Sequence, residues 1–328
     1  MESRRLGRTG RQVSVIGLGC WQLGGDWGQV EEGDALAVLA AAVDEGVTFL
    51  DTADVYGDGR SEQLIGRFLA ERGRDGLTVA TKMGRRADPH VEQAYTLPSM
   101  RAWVDRSRTN LGVDSLDLVQ LHCPPAGVYS DDGVFDALDT LVQEGRIQAY
   151  GVSVETVEQA LAAIARPRVA SLQIIVNAFR RKPLEHVLPA AMAGNVGIIA
   201  RVPLASGLLS GKYDASTVFA PDDHRSYNRN GEAFDVGETF GGVPFDVGVE
   251  AAQEVAALTP PRSSTAQLAL RWLVDQPGVS TVIPGARNAD QARSNAAAAA
   301  TDPVTPQVQS ALADIYDRRV REHVHSRW

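Results

Sequence analysis

The chain alternates between two hydrophobic periods along most of its 328 residues. Short runs rich in Val, Ile and Leu, which are typical of buried strands, are separated by stretches in which apolar residues recur at every third or fourth position, as in amphipathic helices. The predicted strands are residues 14–19, 47–52, 77–82, 116–122, 147–153, 171–177, 196–202 and 279–285. The predicted helices are residues 34–46, 61–73, 97–112, 133–145, 156–165 and 185–194.

Strands that alternate with helices indicate a parallel sheet, because each parallel connection needs a crossover. Such a sheet is either open and doubly wound or closed, and eight strands in a chain of this length favour a closed (β/α)8 TIM barrel. We expect residues 1–328 to form one such domain, with residues 4–17 as an N-terminal β-hairpin that closes the barrel floor. Residues 219–246 are polar, rich in glycine and without period, so we expect a long active-site loop there, either ordered or disordered.

Charge and hydropathy exclude two classes of partner. The chain has 32 Lys and Arg residues against 41 Asp and Glu residues, a formal net charge of −9, and it has no basic stripe, so nucleic acid is not an expected partner. It also lacks a secretory signal and any run of the roughly 20 apolar residues that cross a bilayer. We therefore expect a cytoplasmic protein with no membrane partner. No exposed heptad suggests an interface, which favours a monomer.

Cysteine and histidine residues give no indication of a disulfide or a metal site. Cys20 and Cys123 are expected to be reduced, as is usual in a cytosolic domain. The six histidines are scattered without the spacing of metal ligands. His323 and His325 lie in a C-terminal tail that is typical of a solvated helix end. We predict no metal.

Polar residues stand where the predicted strands end, and in a parallel barrel these ends form the catalytic rim. Asp51, Lys82 and His122 end three successive strands, and Tyr56 follows Asp51 by five residues. Only three of the 32 basic residues are Lys, so Lys82 suggests a role that a compact ammonium fills better than a guanidinium. The alternative for this group is a structural ion pair between Asp51 and Lys82, with a capped turn.

The chain resembles an aldo-keto reductase, through motifs that run in order from residue 17 to residue 298. The matching motifs are "GLGCWQLGG", "FLDTADVYGDGRSEQLIG", "VATKMG", "LDLVQLHCP", "IQAYGVS", "PLASGLLSGKY" and "VIPGARNADQARSNAAA". The resemblance implies NADPH-dependent reduction of aldehydes or ketones. It assigns a catalytic tetrad to Asp51, Tyr56, Lys82 and His122, with Tyr56 as the proton donor, Lys82 lowering the Tyr56 pKa, Asp51 orienting Lys82, and His122 binding the carbonyl oxygen.

The same resemblance implies a cofactor site and a substrate pocket. Arg287 would suit a 2′-phosphate, since a guanidinium binds phosphate through two hydrogen bonds, and this favours NADPH over NADH. Trp21 and Trp27 are expected to wall the substrate pocket. The implied cofactor residues are Ser153, Gln173 and Asn177 at the nicotinamide, Arg201, Pro203, Leu204, Ser206, Gly207, Ser210 and Lys212 near the ring and the pyrophosphate, and Gly285, Arg287, Gln291 and Asn295 at the adenosine end.

Two residues depart from the family pattern. Val154 stands where the family usually has Asn, and Arg201 replaces the aromatic residue that commonly stacks on the nicotinamide. A guanidinium plane can also stack on a ring, so Arg201 could make a different contact. These departures leave open a regulatory or sensor protein that binds NADP(H) with little turnover. A third reading is a lyase in which Lys82 forms a Schiff base.

Overall fold

The computed structural model describes residues 1–24 and 30–328, so the predicted pocket residue Trp27 lies outside the described residues. The strands within these ranges are β1 Ser3–Arg5, β2 Gln12–Ser14, β3 Leu18–Gly19, β4 Phe49–Asp51, β5 Thr78–Met83, β6 Leu118–His122, β7 Tyr150–Ser153, β8 Ser171–Ile175, β9 Gly197–Arg201 and β10 Val279–Val282. Strands β3 to β10 form one eight-stranded sheet in chain order, with parallel pairing throughout.

The first and last strands of this sheet meet and close it. Ile16 and Gly19 form parallel bridges with Val282 and Gly285. The amide of Gly19 donates to the carbonyl of Pro284 at 3.0 Å. The predicted (β/α)8 barrel is therefore confirmed. The predicted strand at residues 14–19 is wrong in detail, because its first residue belongs to β2 and its last two form β3.

Helices occupy the connections between the strands. They are α1 Trp21–Gly24, α2 Glu32–Asp44, α3 Arg60–Arg72, α4 Leu97–Leu111, α5 Asp132–Gln143, α6 Val157–Ile164, α7 Pro183–Ala193, α8 His224–Tyr227, α9 Phe245–Ala257, α10 Thr265–Val274, α11 Ala289–Ala297, α12 Pro306–Ile315 and α13 Arg321–Val324, with a π-helical turn at Tyr316–Val320. Local signals explain some starts: α6 and α10 begin with capping boxes, Thr156 with Gln159 and Ser264 with Gln267. The sequence predictions named none of α9 to α12, although their apolar faces pack on the core.

The N-terminal hairpin covers the lower end of the barrel. Leu6 and Val13 are fully buried in a cluster that also contains Phe49 and Ile199 from the barrel strands. Gly7 has φ +47°, and a Cβ there would lie 2.1 Å from the amide nitrogen of Gly197, so only glycine allows this approach. The predicted hairpin is confirmed. The second and larger apolar cluster fills the space between sheet and helices.

The aperiodic segment 219–246 has defined structure in short pieces. It contains α8, two 3₁₀ turns at Val236–Glu238 and Phe240–Gly242, and the start of α9. Asn228 is fully buried and organises the turn: its Oδ1 accepts from the amides of Ala233 and Phe234, and its Nδ2 donates to Thr239 Oγ1. Hydrogen bonds from side chains to the backbone therefore order this segment without hydrophobic periodicity.

The C-terminal tail packs against the protein, contrary to the prediction of a solvated helix end. Trp328 is 5 % exposed, and its ring centroid lies 3.6 Å from the guanidinium carbon of Arg180. Its indole nitrogen donates to Asp235 Oδ1 at 3.1 Å. His323 and His325 are half-buried. The reason is the terminal indole, whose large apolar area is stabilised by burial against the segment 219–246. Among the described residues, no helix is both long and apolar enough to span a membrane.

Candidate active site

Three adjacent strands and one turn bring the predicted tetrad together at the C-terminal rim of the barrel. Asp51 ends β4, Lys82 lies near the end of β5 and His122 ends β6. Lys82 Nζ lies 2.6 Å from Asp51 Oδ2 and donates to Tyr56 Oη at 3.3 Å. The ring of His122 meets the ring of Tyr56 edge-on, with 6.0 Å between centroids. The four side chains therefore form one connected polar group.

Electrostatics keep both the lysine and the tyrosine protonated. Burial opposes the charge on Lys82, but the carboxylate of Asp51 and the oxygen of Tyr56 outweigh it and raise the pKa of Lys82. Burial also raises the pKa of Tyr56, and Lys82 offsets only part of this rise. The expected lowering by Lys82 is thus present, but the net shift in this structure is upward. A phenol with a raised pKa keeps its proton across neutral pH.

Two glutamines hold the second oxygen of Asp51. Gln173 and Gln120 donate to Asp51 Oδ1 through their Nε2 atoms, at 2.8 Å and 3.2 Å. These bonds fix the carboxylate so that its other oxygen faces Lys82. Gln173, which the family resemblance implies for the nicotinamide, lines the cavity and also makes this bond. Gln120 was missed, although it precedes His122 by two residues and so points to the same side of β6.

His122 is neutral at neutral pH. Burial, together with the nearby cations of Arg85 and Lys82, lowers the pKa of His122 well below 6.5. Its Nε2 lies 3.4 Å from Nη1 of Arg85, and because a guanidinium can only donate, Nε2 accepts this bond only in the tautomer with the ring proton on Nδ1. Among the described residues, Nδ1 has no hydrogen-bond partner although it is buried.

A cavity of about 350 Å³ opens above the tetrad and extends to the start of α11. Trp21 lines it at the tetrad end, with its ring centroid 6.0 Å from that of Tyr56. The predicted cofactor residues that line the cavity are Ser153, Gln173, Arg201, Pro203, Leu204, Ser206, Gly207, Ser210, Lys212, Gly285, Arg287, Gln291 and Asn295. Residues from three distant parts of the sequence thus share one wall.

Asn177 has a different place. It is fully buried and is not among the described residues that line the cavity. Its Nδ2 donates to the carbonyl of Val202 at 2.9 Å, and its Oδ1 accepts from the amide of Phe179 at 2.8 Å. One end of the side chain therefore supports the backbone after β9, and the other end supports the backbone after β8. The sequence predicted Asn177 as the last residue of its strand, but β8 ends two residues earlier, at Ile175, and the pattern could not show where the amide group points.

Arg201 is held by two groups in the cavity wall. Nη1 lies 2.6 Å from Glu238 Oε2, and Nη2 donates to the carbonyl of Val154 at 3.0 Å. Both side chains of the ion pair are buried. Burial alone would lower the Arg201 pKa, but Glu238 and Cys123 raise it, so the guanidinium remains charged. The two departures from the family pattern are therefore neighbours, joined by one hydrogen bond.

Several hydroxyl and amide groups of the predicted cofactor site also have structural partners. Ser206 donates to the carbonyl of Glu238 at 3.0 Å and accepts from the amide of Phe240, so it ties the segment 219–246 to the loop after β9. Gln291 accepts from the amide of Arg287 at 2.9 Å. These contacts fix the walls of the cavity before any ligand enters.

Cys123, Glu155 and Glu238 bring potential metal-ligand atoms within 4.8 Å of one another. Two guanidinium groups already neutralise this cluster. Arg201 pairs with Glu238 and lies 3.9 Å from the Cys123 sulfur, and Arg85 lies 4.0 Å from Glu155. A cation would have to displace them, so we assign no metal role to this cluster.

Residues 15–317 match the model of the Aldo/keto reductase family. The chain belongs to this family. It is 32% identical over 319 residues to the uncharacterized oxidoreductase YqkF of Bacillus subtilis, covering 95% of each chain. The glycerol dehydrogenase of Gluconobacter oxydans has a similar structure, with a TM-score of 0.79 and 32% identity over 97% of this chain and 96% of that one. An aldo/keto reductase of Klebsiella pneumoniae, solved with NADP and acetate, shares the fold at a TM-score of 0.71 and 23% identity, over 96% and 95%.

These matches confirm the predicted family and the prediction of an oxidoreductase on a barrel of this type. Within this aldo/keto reductase, the structure also gives places to residues that the sequence did not single out. Arg85, Phe234 and Glu238 line the cavity near the tetrad. Arg85 follows the "VATKMG" motif directly, which was an available signal. Glu238 lies in the aperiodic segment 219–246, where no sequence pattern indicates that it pairs with Arg201.

Asp54 provides a pH-dependent contribution to the stability of this aldo/keto reductase. Burial, reinforced by Glu62, raises the pKa of Asp54 from 3.8 to about 7. Among the described residues, neither carboxylate oxygen has a hydrogen-bond partner. The folded state therefore holds a proton that the unfolded chain releases above pH 3.8, so this contribution is present at low pH and is lost as pH rises towards 7.

We expect Asp54→Asn to remove this pH dependence. Wild type should lose stability relative to the variant between about pH 4 and pH 7, by up to about 1.4 kcal/mol per pH unit. Urea unfolding of both proteins across this range measures the difference. Asp58→Asn is the matched control, because Asp58 is exposed and Arg86 lowers its pKa, so it stays ionised throughout. Equal pH slopes for wild type and Asp54→Asn would contradict the prediction.

Proposed function

We propose that this aldo/keto reductase uses NADPH to reduce aldehydes or ketones to alcohols, with Tyr56 as the proton donor. One observation carries the proposal: Tyr56 Oη is bound by Lys82 Nζ at 3.3 Å, and Asp51 holds that ammonium at 2.6 Å, at the bottom of an open cavity. A neutral acid beside a fixed cation is what protonation of a developing alkoxide requires. A small carbonyl compound is the expected substrate.

The cavity residues fit NADPH in the chemistry of their donors. When bound, NADPH supplies the hydride that a carbonyl carbon accepts. Consecutive left-handed residues Ala205, Ser206 and Gly207, with φ values of 47°, 51° and 97°, curve the backbone into a concave loop of the kind that binds anions. Lys212 and Arg287 would add charge for the phosphates. The Klebsiella pneumoniae protein of the same fold was solved with NADP.

Each of the four residues of the tetrad has a different role at the carbonyl oxygen. Tyr56 holds the proton that passes to this oxygen as negative charge develops on it. Lys82 then stabilises the phenolate, and Asp51 keeps Lys82 charged and in place. Neutral His122 orients the carbonyl by donating a hydrogen bond to the same oxygen, which requires its proton on Nε2.

The position of Arg201 is consistent with a contact to the nicotinamide ring, which the sequence alone had left open. The guanidinium stands in the cavity wall and is fixed by Glu238 and Val154. A fixed, planar group can offer its face to a ring, as an aromatic residue would. We therefore infer that the replacement of the usual aromatic residue preserves a platform for the nicotinamide.

The other two readings are less well supported. A sensor protein with little turnover would not need the connected tetrad, and the held position of Arg201 removes the main reason for expecting weak catalysis. Schiff-base chemistry needs a neutral amine, whereas Asp51 and Tyr56 raise the pKa of the buried Lys82 against the effect of burial.

The experiment that tests the function is NADPH oxidation by the purified protein with a panel of aldehydes and ketones, with NADH in parallel. Turnover with NADPH, weaker with NADH, is the expected result. NADPH binding without oxidation by any carbonyl would favour the sensor. Absence of binding of both cofactors would contradict the proposed cofactor site.

A further inference from the structure

Arg85 is a cation of the cavity wall that the proposed reaction does not use. It follows β5 and its side chain is 26% exposed. Another wall arginine, Arg201, has a carboxylate oxygen at 2.6 Å. For Arg85, the only carboxylate oxygen within 4.0 Å among the described residues is Glu155 Oε1, at 4.0 Å. This guanidinium therefore retains donor capacity at the cavity.

The position of Arg85 relates it to the reacting carbonyl. Its Nη1 lies 3.4 Å from His122 Nε2, the nitrogen that would bind the carbonyl oxygen. When the ring proton is on Nε2, the two nitrogens are both donors, and donors this close can bind two oxygens carried on neighbouring carbon atoms. Phe234 lies on another side, with its ring centroid 5.9 Å from the guanidinium carbon, and Trp21 packs on Phe234 at 5.8 Å. The aromatic rings of Phe234 and Trp21 thus form a wall of the cavity that begins beside Arg85.

We propose that Arg85 binds a carboxylate on the carbon next to the reacting carbonyl, so that 2-oxo acids with an apolar side chain are substrates of this enzyme. The inference rests on the proposed function. A guanidinium matches a carboxylate through two parallel hydrogen bonds, and such charged bonds are stronger than neutral ones. The apolar side chain of the substrate would lie against Trp21 and Phe234.

Carboxylate binding would also prepare His122. Nη1 of Arg85 faces His122 Nε2 and therefore favours the tautomer in which Nε2 accepts and the ring proton is on Nδ1. When the donors of Arg85 turn to a substrate carboxylate, Nε2 no longer faces a competing donor, and the tautomer that carries its proton on Nε2 can donate to the carbonyl oxygen. By turning to the substrate carboxylate, Arg85 would therefore both bind the substrate and leave His122 Nε2 available to the carbonyl oxygen.

The internal competitor for Arg85 is Glu155. Their contact is at the limit of an ion pair, at 4.0 Å. Burial and the nearby carboxylate of Asp235 raise the pKa of Glu155. Glu238, which also acts on Arg85, is engaged by Arg201. A substrate carboxylate that meets Arg85 directly would therefore displace little.

The test compares phenylglyoxylate with its methyl ester, which has the same skeleton without the charge. The measured quantity is the ratio of kcat/KM for acid over ester, because the intrinsic reactivities cancel when variants are compared. We expect Arg85→Met to lower this ratio by about 10- to 100-fold, the worth of a hydrogen-bonded charge, and Arg85→Lys to restore part of it. Arg86→Met is the matched control, since Arg86 pairs with Asp58 outside the cavity.

A binding measurement separates this inference from the proposed function. Quenching of tryptophan fluorescence by phenylglyoxylate, with NADP⁺ present, reports affinity without turnover. If wild type reduces neither compound but Arg85→Met loses affinity for the acid, the proposed reaction fails and the carboxylate site stands. Equal acid affinity in wild type and Arg85→Met, or an unchanged acid-to-ester ratio, would overturn the inference whatever the turnover.

Discussion

Replacing Tyr56 with Phe is expected to lower kcat for carbonyl reduction by a factor of about 10² to 10⁴, with NADPH affinity nearly unchanged. The substitution removes one oxygen atom and with it the acidic proton next to Lys82 Nζ, while the ring can keep its edge contact with His122 and its stacking on Trp21. Steady-state rates of NADPH oxidation, with affinity measured by equilibrium fluorescence titration, test both parts of this expectation.

Tyr150→Phe is the matched control for this measurement. Tyr150 is also buried and loses one hydroxyl, but that hydroxyl donates to Asp139 at 2.8 Å, away from the cavity. Its kcat should remain close to wild type. A Tyr56→Phe enzyme with wild-type kcat would assign the proton to another group, and a variant that lost NADPH affinity instead would make Tyr56 a binding residue.

Lys82→Met is expected to abolish most turnover and to lower the free energy of unfolding by about 3–5 kcal/mol. Lys82 is 1% exposed and bonds Asp51, Tyr56 and the carbonyl of Thr52, so its loss leaves the buried Asp51 carboxylate without a cation. The two glutamines that donate to Asp51 cannot supply the missing charge. Urea unfolding gives the free energy, and NADPH oxidation gives the rate.

The double variant Asp51→Asn/Lys82→Met separates stability from catalysis. With both charges of this pair removed, neither partner is left as an uncompensated buried ion, so we expect much of the lost stability to return while turnover stays low. Lys182→Met, which removes a half-buried lysine at the start of α7, serves as the control. Recovery of turnover together with stability would show that the ion pair is structural and that the tetrad assignment is wrong.

The contrast between Asp51 and Asn177 shows how much of a side chain's role can be predicted from its position at the end of a strand. Both positions were placed at the rim by the same pattern of apolar runs. For Asp51, three donors from three other residues converge on the carboxylate. For Asn177, the side-chain amide is hydrogen-bonded to two backbone groups, the carbonyl of Val202 and the amide of Phe179. A strand end fixes where a side chain starts, but its hydrogen-bond partners decide where it points.

The aperiodic segment 219–246 marks a second limit. Its composition predicted a long loop at the active site, yet the order in that loop comes from Asn228, Ser206 and the terminal Trp328, which lie far apart in sequence. Such contacts leave no period, because they are individual hydrogen bonds and ring contacts, some within the segment and others to distant parts of the chain.

The sequence by itself determined the barrel, because the alternation of strand and helix periods allows few ways to bury every apolar face, and it located Asp51, Tyr56, Lys82 and His122. Only the tertiary structure decided which charged side chains form ion pairs with each other. Arg201 was visible as a departure from the family, but its pairing with Glu238 was not. The interaction of two buried charges depends on their separation in space, and that distance exists only after the chain has folded.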